Sequence, residues 1–452
     1  MTSANNELIR RKTGDMPRKR PIILTNAVWH GTCFLLQRTA QEHILIIKEE
    51  NMNQNNLLSG IKVVEMSTYI AGPSCARILA DWGAEVIKVE TPKGDAWRYI
   101  AAGLVTDEAD PVFASDNANK KFVAVDLKVP QGTQVLKSLL KDADVFITNL
   151  RPNALEKAGL SYEKLSSFNP KMVYALATGY GLEGPAKDHP GYDTTAFFSR
   201  GGISLCFAQK DGIPCNPGAG MGDHVLGTNL ACGILAALYK REKTGKGEFV
   251  NSSLLQSAIY LISSMMGLVQ VGASFPNSRT NPPNSLNNTY QCKDGKWIML
   301  AGASWALYLP RFCEITGHTE EFYANEEYSS PIAGLIYGEE LSKMVSDIMI
   351  EKTREEWVET LTAADFPHEV LQDLDDILQD EQALENGFIF KHSFADGNTA
   401  MYTHTPVFFA GQPITDFVHS APIGAHTAEV LRAAGYSDGE IEELSALGAI
   451  AK

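Results

Sequence analysis

The chain has 452 residues, of which 44% are hydrophobic and 21% are charged, and its formal net charge at pH 7 is −15. A chain of this length exceeds the size at which one hydrophobic core keeps growing, so two domains are expected. The acidic balance argues against a protein that binds nucleic acid or an anionic membrane, because both need a basic face. It leaves room for local basic pockets that bind a phosphorylated ligand.

The first 51 residues differ from the rest of the chain. They hold eight basic and five acidic residues, and they lack the apolar core and small-residue cleavage site of a signal peptide. A basic localisation or binding tail is one reading. We favour an artefact of start-codon choice, with translation beginning at Met52, because Lys48-Glu-Glu50 can be encoded by purine codons that resemble a ribosome-binding site.

Cysteine usage indicates a reducing compartment. The seven cysteines, at positions 33, 75, 206, 215, 232, 292 and 313, include no C-x-x-C pair, so neither a zinc motif nor a disulfide framework is expected. No apolar run reaches the roughly 18 residues of a membrane span, and the nearest, residues 258–273, is interrupted by two serines. These features predict a cytoplasmic protein with reduced thiols, no metal site and no membrane contact.

From residue 60 onward the pattern is α/β. Apolar runs predict strands at 61–66, 84–90, 122–127, 144–149 and 172–178, with helices at 75–82, 132–141 and 162–167 between them. This alternation predicts a parallel sheet with helices on both faces and ligands at the carboxyl ends of the strands. The candidate ligand loops are residues 67–73, 149–152 and 178–185. The first loop lacks G-x-G-x-x-G, so a nicotinamide cofactor is not supported.

The pattern changes after about residue 274. A loop rich in proline, asparagine and serine is followed by short strands, a helical stretch over 308–361, a strand-like segment at 401–409 and an amphipathic helix at 426–435. We interpret residues 52–273 as a large α/β domain and 274–395 as an inserted small α+β domain with its linkers. Residues 396–452 are then expected to return to the large domain.

One glycine-rich segment, Gly218-Ala-Gly-Met-Gly-Asp-His224, precedes an apolar run that predicts a helix at 226–239. Asp223 is therefore expected near a helix N-terminus, where unpaired N–H groups and the helix dipole keep a carboxylate ionised. The glycines let another molecule approach the backbone closely. Two readings are open, since Asp223 is either the N-cap of this helix or an exposed nucleophile. His224 is expected to be a first-turn helix residue.

Several motifs, taken in order and spacing, resemble the family III CoA-transferases, the group that includes formyl-CoA and carnitine CoA-transferases. The resemblance covers residues 57–450. Its marks are Leu58-Ser-Gly-Ile-Lys-Val-Val-Glu65, Ala71-Gly-Pro73, Gly83-Ala-Glu-Val-Ile-Lys-Val-Glu90, Gly179-Tyr-Gly-Leu-Glu-Gly-Pro185, Met221-Gly-Asp-His224, Gly233-Ile-Leu-Ala-Ala-Leu238 and Thr244-Gly-Lys-Gly247.

Two motifs are most similar to the anaerobic branch that acts on 2-hydroxy acids in amino-acid fermentation, Asn117-Ala-Asn-Lys-Lys121 and Asp193-Thr-Thr-Ala-Phe-Phe-Ser-Arg-Gly-Gly202. The resemblance implies an interlocked homodimer of ring-like chains, each with a Rossmann-like large domain and an inserted small domain. It implies acyl-CoA and a small carboxylic acid as substrates and no bound cofactor. It also points to association with a 2-hydroxyacyl-CoA dehydratase.

The resemblance assigns the catalytic carboxylate to Asp223. A carboxylate that attacks a thioester carbonyl forms an acyl-aspartyl anhydride, and the released CoA thiolate converts it to an aspartyl-CoA thioester. The acceptor acid then reverses these steps, so no ATP and no metal are needed. The backbone N–H groups of Gly220, Gly222 or Gly302 are candidates for binding the oxyanion.

The resemblance also implies contacts with both ends of CoA. Tyr69 and Ile70 match the loop whose backbone meets the thiol end, and Tyr192 matches a tyrosine of the CoA pocket. Asn149 matches an asparagine beside the adenine, and Leu150 stands where relatives have an aromatic residue.

Basic residues are expected at the CoA phosphates. Lys128 matches a lysine near the nucleotide, and Lys157 replaces an arginine that binds phosphate, without the bidentate fork of a guanidinium. A second such arginine is replaced by Thr91, so Lys93 or Arg98 is expected to take over its role.

Three other functions fit the same fold. An acyl-CoA racemase would need a histidine in the motif that reads Gly191-Tyr-Asp193 here, and a tyrosine with a pKa near 10 is a poor carbon base at neutral pH. A hydrolase would use the same Asp223 intermediate with water as acceptor. A non-catalytic acyl-CoA-binding subunit would not need Asp223 or the glycine turn.

Overall fold

The computed structural model describes residues 56–105, 110–411 and 416–452. The predicted N-terminal extension, residues 1–51, lies outside the described residues. The start-site hypothesis for Met52 and the predicted thiol of Cys33 lie outside them too.

Twelve strands occur among the described residues. They are β1 (Lys62–Met66), β2 (Glu85–Glu90), β3 (Lys121–Val125), β4 (Val145–Thr148), β5 (Val173–Thr178), β6 (Phe249–Ser253), β7 (Asn287–Gln291), β8 (Trp297–Ala301), β9 (His368–Val370), β10 (Ile389–Ser393), β11 (Thr399–Thr403) and β12 (Ile450–Ala451).

The helices fall between these strands. They are α1 (Ala71–Asp81), α2 (Pro111–Asn117), α3 (Pro130–Lys141), α4 (Pro152–Ala158), α5 (Tyr162–Phe168), α6 (Ile203–Cys206), α7 (Met221–Thr244), α8 (Leu254–Leu261), α9 (Ser263–Gln270), α10 (Trp305–Thr316), α11 (Thr319–Tyr323), α12 (Ala333–Met349), α13 (Arg354–Ala363), α14 (Leu374–Ile377), α15 (Glu381–Glu385), α16 (Thr427–Ala433) and α17 (Asp438–Ala446). A π-helix covers Asp193–Ser199, and 3₁₀ turns cover Ala96–Tyr99 and Glu326–Ser329.

A seven-stranded sheet in the order β12–β3–β2–β1–β4–β5–β6 forms the centre of the protein. Strands β1 to β6 pair in parallel, and β12 pairs antiparallel with β3, where Ile450 lies opposite Val125. The predicted parallel-dominated α/β architecture is therefore confirmed.

Both faces of this sheet are covered. Successive side chains of a strand point to opposite faces, and Val63 and Val64 of β1 accordingly belong to two different cores. The first core contains residues of α1 and α7, and the second contains residues of α3, α16 and α17. Burial on both faces explains why β4 and β5 read as nearly continuous apolar runs, whereas β1 and β2 also carry the buried charges of Glu65 and Lys88.

A second, three-stranded antiparallel sheet has the order β7–β8–β9. Helices α10, α12 and α13 pack on it around fully buried Phe312 and Trp357. The helical stretch predicted at 308–361 corresponds to α10 through α13. This region is the one that the sequence assigns to an inserted small domain, and the boundaries of that domain remain a prediction.

Three predicted elements differ most from the structure. Helix α7, predicted at 226–239, covers Met221–Thr244. Helix α1 begins at Ala71 instead of residue 75, because the loop before it turns directly into the first helical turn. The strand expected at 401–409 is only β11, which pairs with the unpredicted strand β10 in a two-stranded hairpin. Pro406 offers no N–H to continue the ladder.

Helix α7 is the long apolar helix of the described residues. By length and composition alone it could cross a membrane, but 44% of its most apolar window is buried inside the protein. Leu226, Leu230 and Ile234 pack in the first core. Gly227 allows close approach of α1, because a Cβ there would overlap Ser74.

Candidate active site

Helix α7 begins at Met221, after Gly220 as its N-cap. Gly220 has a φ of +106°, a conformation that glycine adopts without steric cost. Asp223 lies inside the first turn of the helix and is half-buried. The N-cap reading of Asp223 is therefore wrong, and its carboxyl group is left for another role.

Asp193, at the start of the π-helix, binds the N-cap residue of α7. Its Oδ2 accepts a hydrogen bond from the Gly220 N–H at 2.8 Å, and the residue is buried. Burial raises the pKa of Asp193, although the N–H groups of Gly220 and Gly222 favour its charged form. Of the two glycine amides proposed for the oxyanion, that of Gly220 is thus bound to Asp193 in this conformation.

Gly222 lets the π-helix pack against the start of α7. A Cβ at this position would overlap Asp193 Oδ1 and the ring of Phe197. Phe197 and its neighbour Phe198 are buried in the first core, as expected for structural residues. The glycine at position 222 is therefore required by internal packing, apart from any approach of a substrate.

Asp223 has a raised pKa of about 7. Burial is the largest cause, and the negative charges of Asp193 and Asp116 add to it, while the charge of His224 acts in the opposite direction. The expectation that the helix N-terminus keeps this acid ionised is wrong, because burial and two neighbouring acids outweigh the dipole.

His224 forms an ion pair with Asp116 of α2, with 2.9 Å between Nε2 and Oδ1. Burial lowers the pKa of His224, but the hydrogen bond and the charge of Asp116 raise it, and the net shift is upward. Asp116 is buried and the histidine side chain is 55% exposed. His224 is a first-turn residue as predicted, and Asp116 is a functional candidate that the sequence did not reveal.

A cavity of about 780 Å³ lies beside this pair. Its walls come from α1, α2 and α7 on one side and from the end of β11 and the segment after it on the other. Asp116 and His224 line it together with Arg77, Asn229 and His404.

Tyr69 and Ile70 lie between β1 and α1, next to the start of α7. The side chain of Ile70 is buried, and its Cδ1 would stand 3.3 Å from a Cβ on Gly220. The Tyr69 ring is 40% exposed and lies 6.2 Å from both the Trp97 and the Tyr192 rings. The structure therefore brings three of the predicted CoA contacts, Tyr69, Ile70 and Tyr192, to the glycine turn.

Asn149 and Leu150 lie at the carboxyl end of β4. The Asn149 side chain accepts from the Thr68 N–H at 3.0 Å and donates to the Thr68 carbonyl at 2.7 Å, so it holds the neighbouring loop. Leu150 lines a cavity of about 90 Å³ at the ends of β1, β2, β3 and β4, together with Thr91. This cavity occupies the position that the parallel sheet predicts for a ligand.

The predicted phosphate-binding residues divide into two groups. Lys93, Lys128 and Lys157 are exposed. Arg98 is buried, where Nε and Nη2 donate to the two carboxylate oxygens of Glu90 at 2.8 and 2.9 Å. The expectation that Arg98 binds phosphate conflicts with this geometry, because its guanidinium is already occupied.

Gly302 follows β8 in the three-stranded sheet. Its N–H donates to the Leu286 carbonyl at 2.7 Å, and its own carbonyl accepts from Asn284 Nδ2 at 2.8 Å. None of the hydrogen bonds described for Gly302 joins it to α7. The amide of Gly302 that was proposed for the oxyanion is therefore bound to the Leu286 carbonyl in this conformation.

Within the described ranges no group of three His, Cys, Asp or Glu side chains could hold a metal ion. The cysteines of those ranges are all free.

Comparison with known proteins identifies the family. The model of CoA-transferase family III matches residues 58–427. The chain belongs to this family. As a family III CoA-transferase it is an enzyme that moves CoA from an acyl-CoA to a carboxylic acid.

Named relatives and a solved structure agree with this family. The chain is 42% identical to the (R)-2-hydroxy-4-methylpentanoate CoA-transferase of Clostridioides difficile over 85% of this chain and 97% of that protein. It is 38% identical to the cinnamoyl-CoA:phenyllactate CoA-transferase of Clostridium sporogenes, over 87% and 97%. A CAIB/BAIF family protein from Brucella suis superposes with a TM-score of 0.74 at 26% identity, over 84% of this chain and 100% of that one.

Within this family III CoA-transferase, the first turn of α7 gathers three carboxyl groups and one imidazole, from Asp116, Asp193, Asp223 and His224. Such an arrangement can provide a carboxylate of unusually high basicity, because like charges and burial disfavour its ionised form. A carboxylate of this kind is suited to nucleophilic attack on a thioester.

Proposed function

We propose that this CoA-transferase uses a 2-hydroxy acid as CoA acceptor and that Asp223 is its nucleophile. The choice of acid is supported by the two relatives named above, whose names specify 2-hydroxy-4-methylpentanoate and phenyllactate. The choice of nucleophile is supported by the position of Asp223 in the first turn of α7, with a pKa of about 7 and no capping role.

The reaction begins when an ionised Asp223 oxygen attacks the thioester carbonyl of the donor. The C–S bond breaks, CoA leaves as a thiolate, and an acyl-aspartyl anhydride forms. The thiolate then attacks the aspartyl carbonyl and releases the donor acid, which leaves an aspartyl-CoA thioester. The acceptor carboxylate repeats both steps in reverse and restores Asp223. Because each intermediate retains an activated acyl bond, no ATP is consumed.

The raised pKa of Asp223 serves this chemistry. A more basic carboxylate is a stronger nucleophile, and a pKa near 7 still leaves a large ionised fraction at neutral pH. Oxyanion binding by Gly220 requires its amide to leave Asp193 Oδ2, and Gly222 is the other candidate from the glycine turn. The same role for Gly302 requires its amide to leave Leu286.

We propose that CoA binds across the carboxyl ends of the strands. Tyr69, Ile70 and Tyr192 would face its thiol end, next to the glycine turn. Asn149 and Leu150 would border the adenine, and the phosphates would contact exposed lysines at positions 93, 128 and 157. Arg98 has no part in this proposal.

The proposed dimer is supported by an exposed apolar surface. Helices α8 and α9 expose several large apolar side chains, among them Tyr260, which is 77% exposed, and the following Val271, which is 82% exposed. None of the residues of α9 is buried in the single chain. We propose that a second copy covers this surface in an interlocked homodimer, and light scattering should give twice the mass of the chain.

A domain arrangement with residues 274–395 inserted into the large domain is part of this proposal. So are a cytoplasmic location and an association with a 2-hydroxyacyl-CoA dehydratase, which would use the 2-hydroxyacyl-CoA product. Co-purification of the two enzymes from cells grown on amino acids would test that association.

Trapping with hydroxylamine tests the nucleophile and the reaction together. Incubation with an acyl-CoA should produce a hydroxamate at Asp223, detected by mass spectrometry of the peptide that contains residues 218–239. CoA should pass to added 2-hydroxy acids and not to water. An Asp223→Ala variant with full turnover would remove the proposed nucleophile, and CoA release without any acid would indicate a hydrolase.

A further inference from the structure

Tyr69 has a backbone conformation that is unfavourable for a residue with a Cβ. Its φ is +63°, in the left-handed region. Such a conformation persists where its surroundings hold it, and it is often found at functional sites. Tyr69 lies in the loop between β1 and α1, beside the glycine turn of α7.

Three side chains bind consecutive peptide groups of this loop. Asp95 Oδ1 accepts from the Tyr69 N–H at 3.0 Å, and Lys88 Nζ donates to the Ser67 carbonyl at 3.1 Å. The side-chain amide of Asn149 binds both backbone groups of the residue between them. The loop is therefore held by side chains from β2, from the segment after β2 and from the residue after β4.

Asp95 belongs to a buried chain of charges. Lys88 Nζ lies 3.0 Å from Asp95 Oδ2 and 2.9 Å from Glu65 Oε1, and Lys120 Nζ lies 2.7 Å from Glu65 Oε2. The four side chains have 0–1% exposure and carry two positive and two negative charges. We call Lys120, Glu65, Lys88 and Asp95 the buried ion network.

Both ammonium groups of this network are paired, although the contact of Lys88 with Asp95 Oδ2 is an ion pair and not a hydrogen bond. Lys88 donates to Glu65 and to the Ser67 carbonyl and pairs with Asp95. Lys120 donates to Glu65, the Pro73 carbonyl and Asn117 Oδ1. Burial raises the pKa of Glu65, but the charges of Lys120 and Lys88 lower it to about 2, so the acid is ionised at neutral pH.

A buried ion network is a costly way to fill a core, since apolar side chains of similar volume often stabilise a protein as well or better. What distinguishes a network from an apolar core is the fixed direction of its hydrogen bonds. In this enzyme the last member, Asp95, accepts with Oδ1 from the N–H of the left-handed Tyr69 and from the Trp97 N–H, each at 3.0 Å.

We propose that Asp95, held in place by Lys88, is a positioning residue that fixes Tyr69 in its left-handed conformation and so preorganises the loop for the thioester end of acyl-CoA. The inference rests on the proposed function for its link to acyl-CoA. Asp95 is buried at the edge of the cavity of about 90 Å³ that Leu150 and Thr91 also line, and it acts through the backbone of Tyr69. Preorganised contacts of this kind reduce the cost of binding and orientation.

The Lys120 end of the buried ion network contacts the part of the site that contains His224. Lys120 bonds to Asn117 at the end of α2, and the preceding residue, Asp116, holds His224. One buried network thus connects the CoA loop with the helix that supports the imidazole beside Asp223.

Two substitutions and a matched control test the positioning role. Asp95→Ala removes the acceptor of the Tyr69 N–H, whereas Asp95→Asn keeps an oxygen acceptor and removes only the charge. Asp81→Asn is the control, because it breaks another buried ion pair, with 2.6 Å between Arg77 Nε and Asp81 Oδ1, that does not involve residues 67–69.

The first readout is amide hydrogen exchange of the peptide covering residues 67–71, measured by mass spectrometry. Exchange should accelerate tenfold or more in Asp95→Ala and less in Asp95→Asn, and it should be unchanged in Asp81→Asn. The second readout is steady-state kinetics, in which KM for acyl-CoA should rise in Asp95→Ala and be partly restored in Asp95→Asn. If Asp95→Ala does not fold, the test is the comparison of hydrogen exchange and KM between Asp95→Asn and Asp81→Asn.

Unchanged exchange at residues 67–71 in both Asp95 variants would overturn the positioning role. The positioning role would also be overturned if the activity of the Asp95 and Asp81 variants fell to the same extent for a given decrease in melting temperature. If the wild-type protein transferred no CoA while Asp95→Ala still accelerated exchange, the proposed function would fail and the hold of Asp95 on the loop would stand.

Discussion

Gly220 donates its backbone N–H to Asp193 Oδ2 at 2.8 Å, and this hydrogen bond places a second carboxylate at the start of α7. The charge of Asp193 is the largest contribution after burial to the raised pKa of Asp223. Two acids this close disfavour each other's ionised form, so they titrate as a coupled pair. Asp193 therefore sets the reactivity of Asp223 from outside the helix.

Replacement of Asp193 by asparagine should move the acidic limb of the pH profile to lower pH. The substitution removes a negative charge, so the pKa of Asp223 falls toward its ordinary value of 3.8 and the nucleophile is ionised at lower pH. The measurement is kcat/KM for acyl-CoA between about pH 5 and 9. Asp294→Asn, in the exposed turn between β7 and β8, removes the same charge and should leave the limb in place. A limb that does not move would contradict the coupling.

His224→Gln should move the same limb in the opposite direction. The positive charge of His224 lowers the pKa of Asp223, so its loss raises that pKa further above 7 and reduces the ionised fraction at neutral pH. The double variant with Asp193→Asn should return the limb toward the wild-type position. A shift to lower pH in the single variant would indicate that His224 acts as a base rather than as a charge.

Gly222→Ala should damage the site through packing alone. The added Cβ overlaps Asp193 Oδ1 and the Phe197 ring, and overpacking of this kind costs about 1–3 kcal/mol. Urea unfolding should show the loss, and kcat should fall because Asp193 is displaced. Gly218→Ala in the same turn is the matched control, since a Cβ there meets no atom within 4 Å. Equal effects of the two substitutions would contradict this account.

The sheet was predictable because its strands are buried on both faces. The run Glu85–Glu90 has three apolar residues among its six and is followed by turn residues, which suffices to locate a parallel strand. The glycine turn before α7 was equally readable, since Met221, Gly222 and Asp223 form a recognisable motif. The exact start of helix α7 could not be predicted from the sequence, because it depends on the left-handed conformation of Gly220.

The electrostatics of the site could not be predicted from local sequence. The pKa of Asp223 depends on Asp193 and Asp116, which come from other elements and meet α7 only in the fold. The buried position of Arg98 could have been inferred from the sequence, because Lys88 and Glu90 are charged residues inside a strand that is predicted to be buried. Buried charges require partners, so a nearby arginine was a candidate to fill that need rather than to bind phosphate.

Asp223 should make the stability of the fold depend on pH. Its pKa in the folded protein is about 7, against an ordinary value of 3.8, so folding favours the protonated form. The stability that this proton contributes is fully present below pH 3.8 and is lost as the pH rises through about 7. The rise in pKa corresponds to at most about 4 kcal/mol.

Asp223→Asn should therefore be more stable than the wild-type protein at pH 8, because the amide has nearly the same shape and no charge to bury. The difference should shrink as the pH is lowered toward 5, where most Asp223 groups in the folded protein are protonated. Melting temperatures of the two proteins at both pH values provide the measurement. A gap in melting temperature that is equal at pH 5 and pH 8 would show that Asp223 has an ordinary pKa, and the basicity proposed for the nucleophile would then have to come from bound substrate.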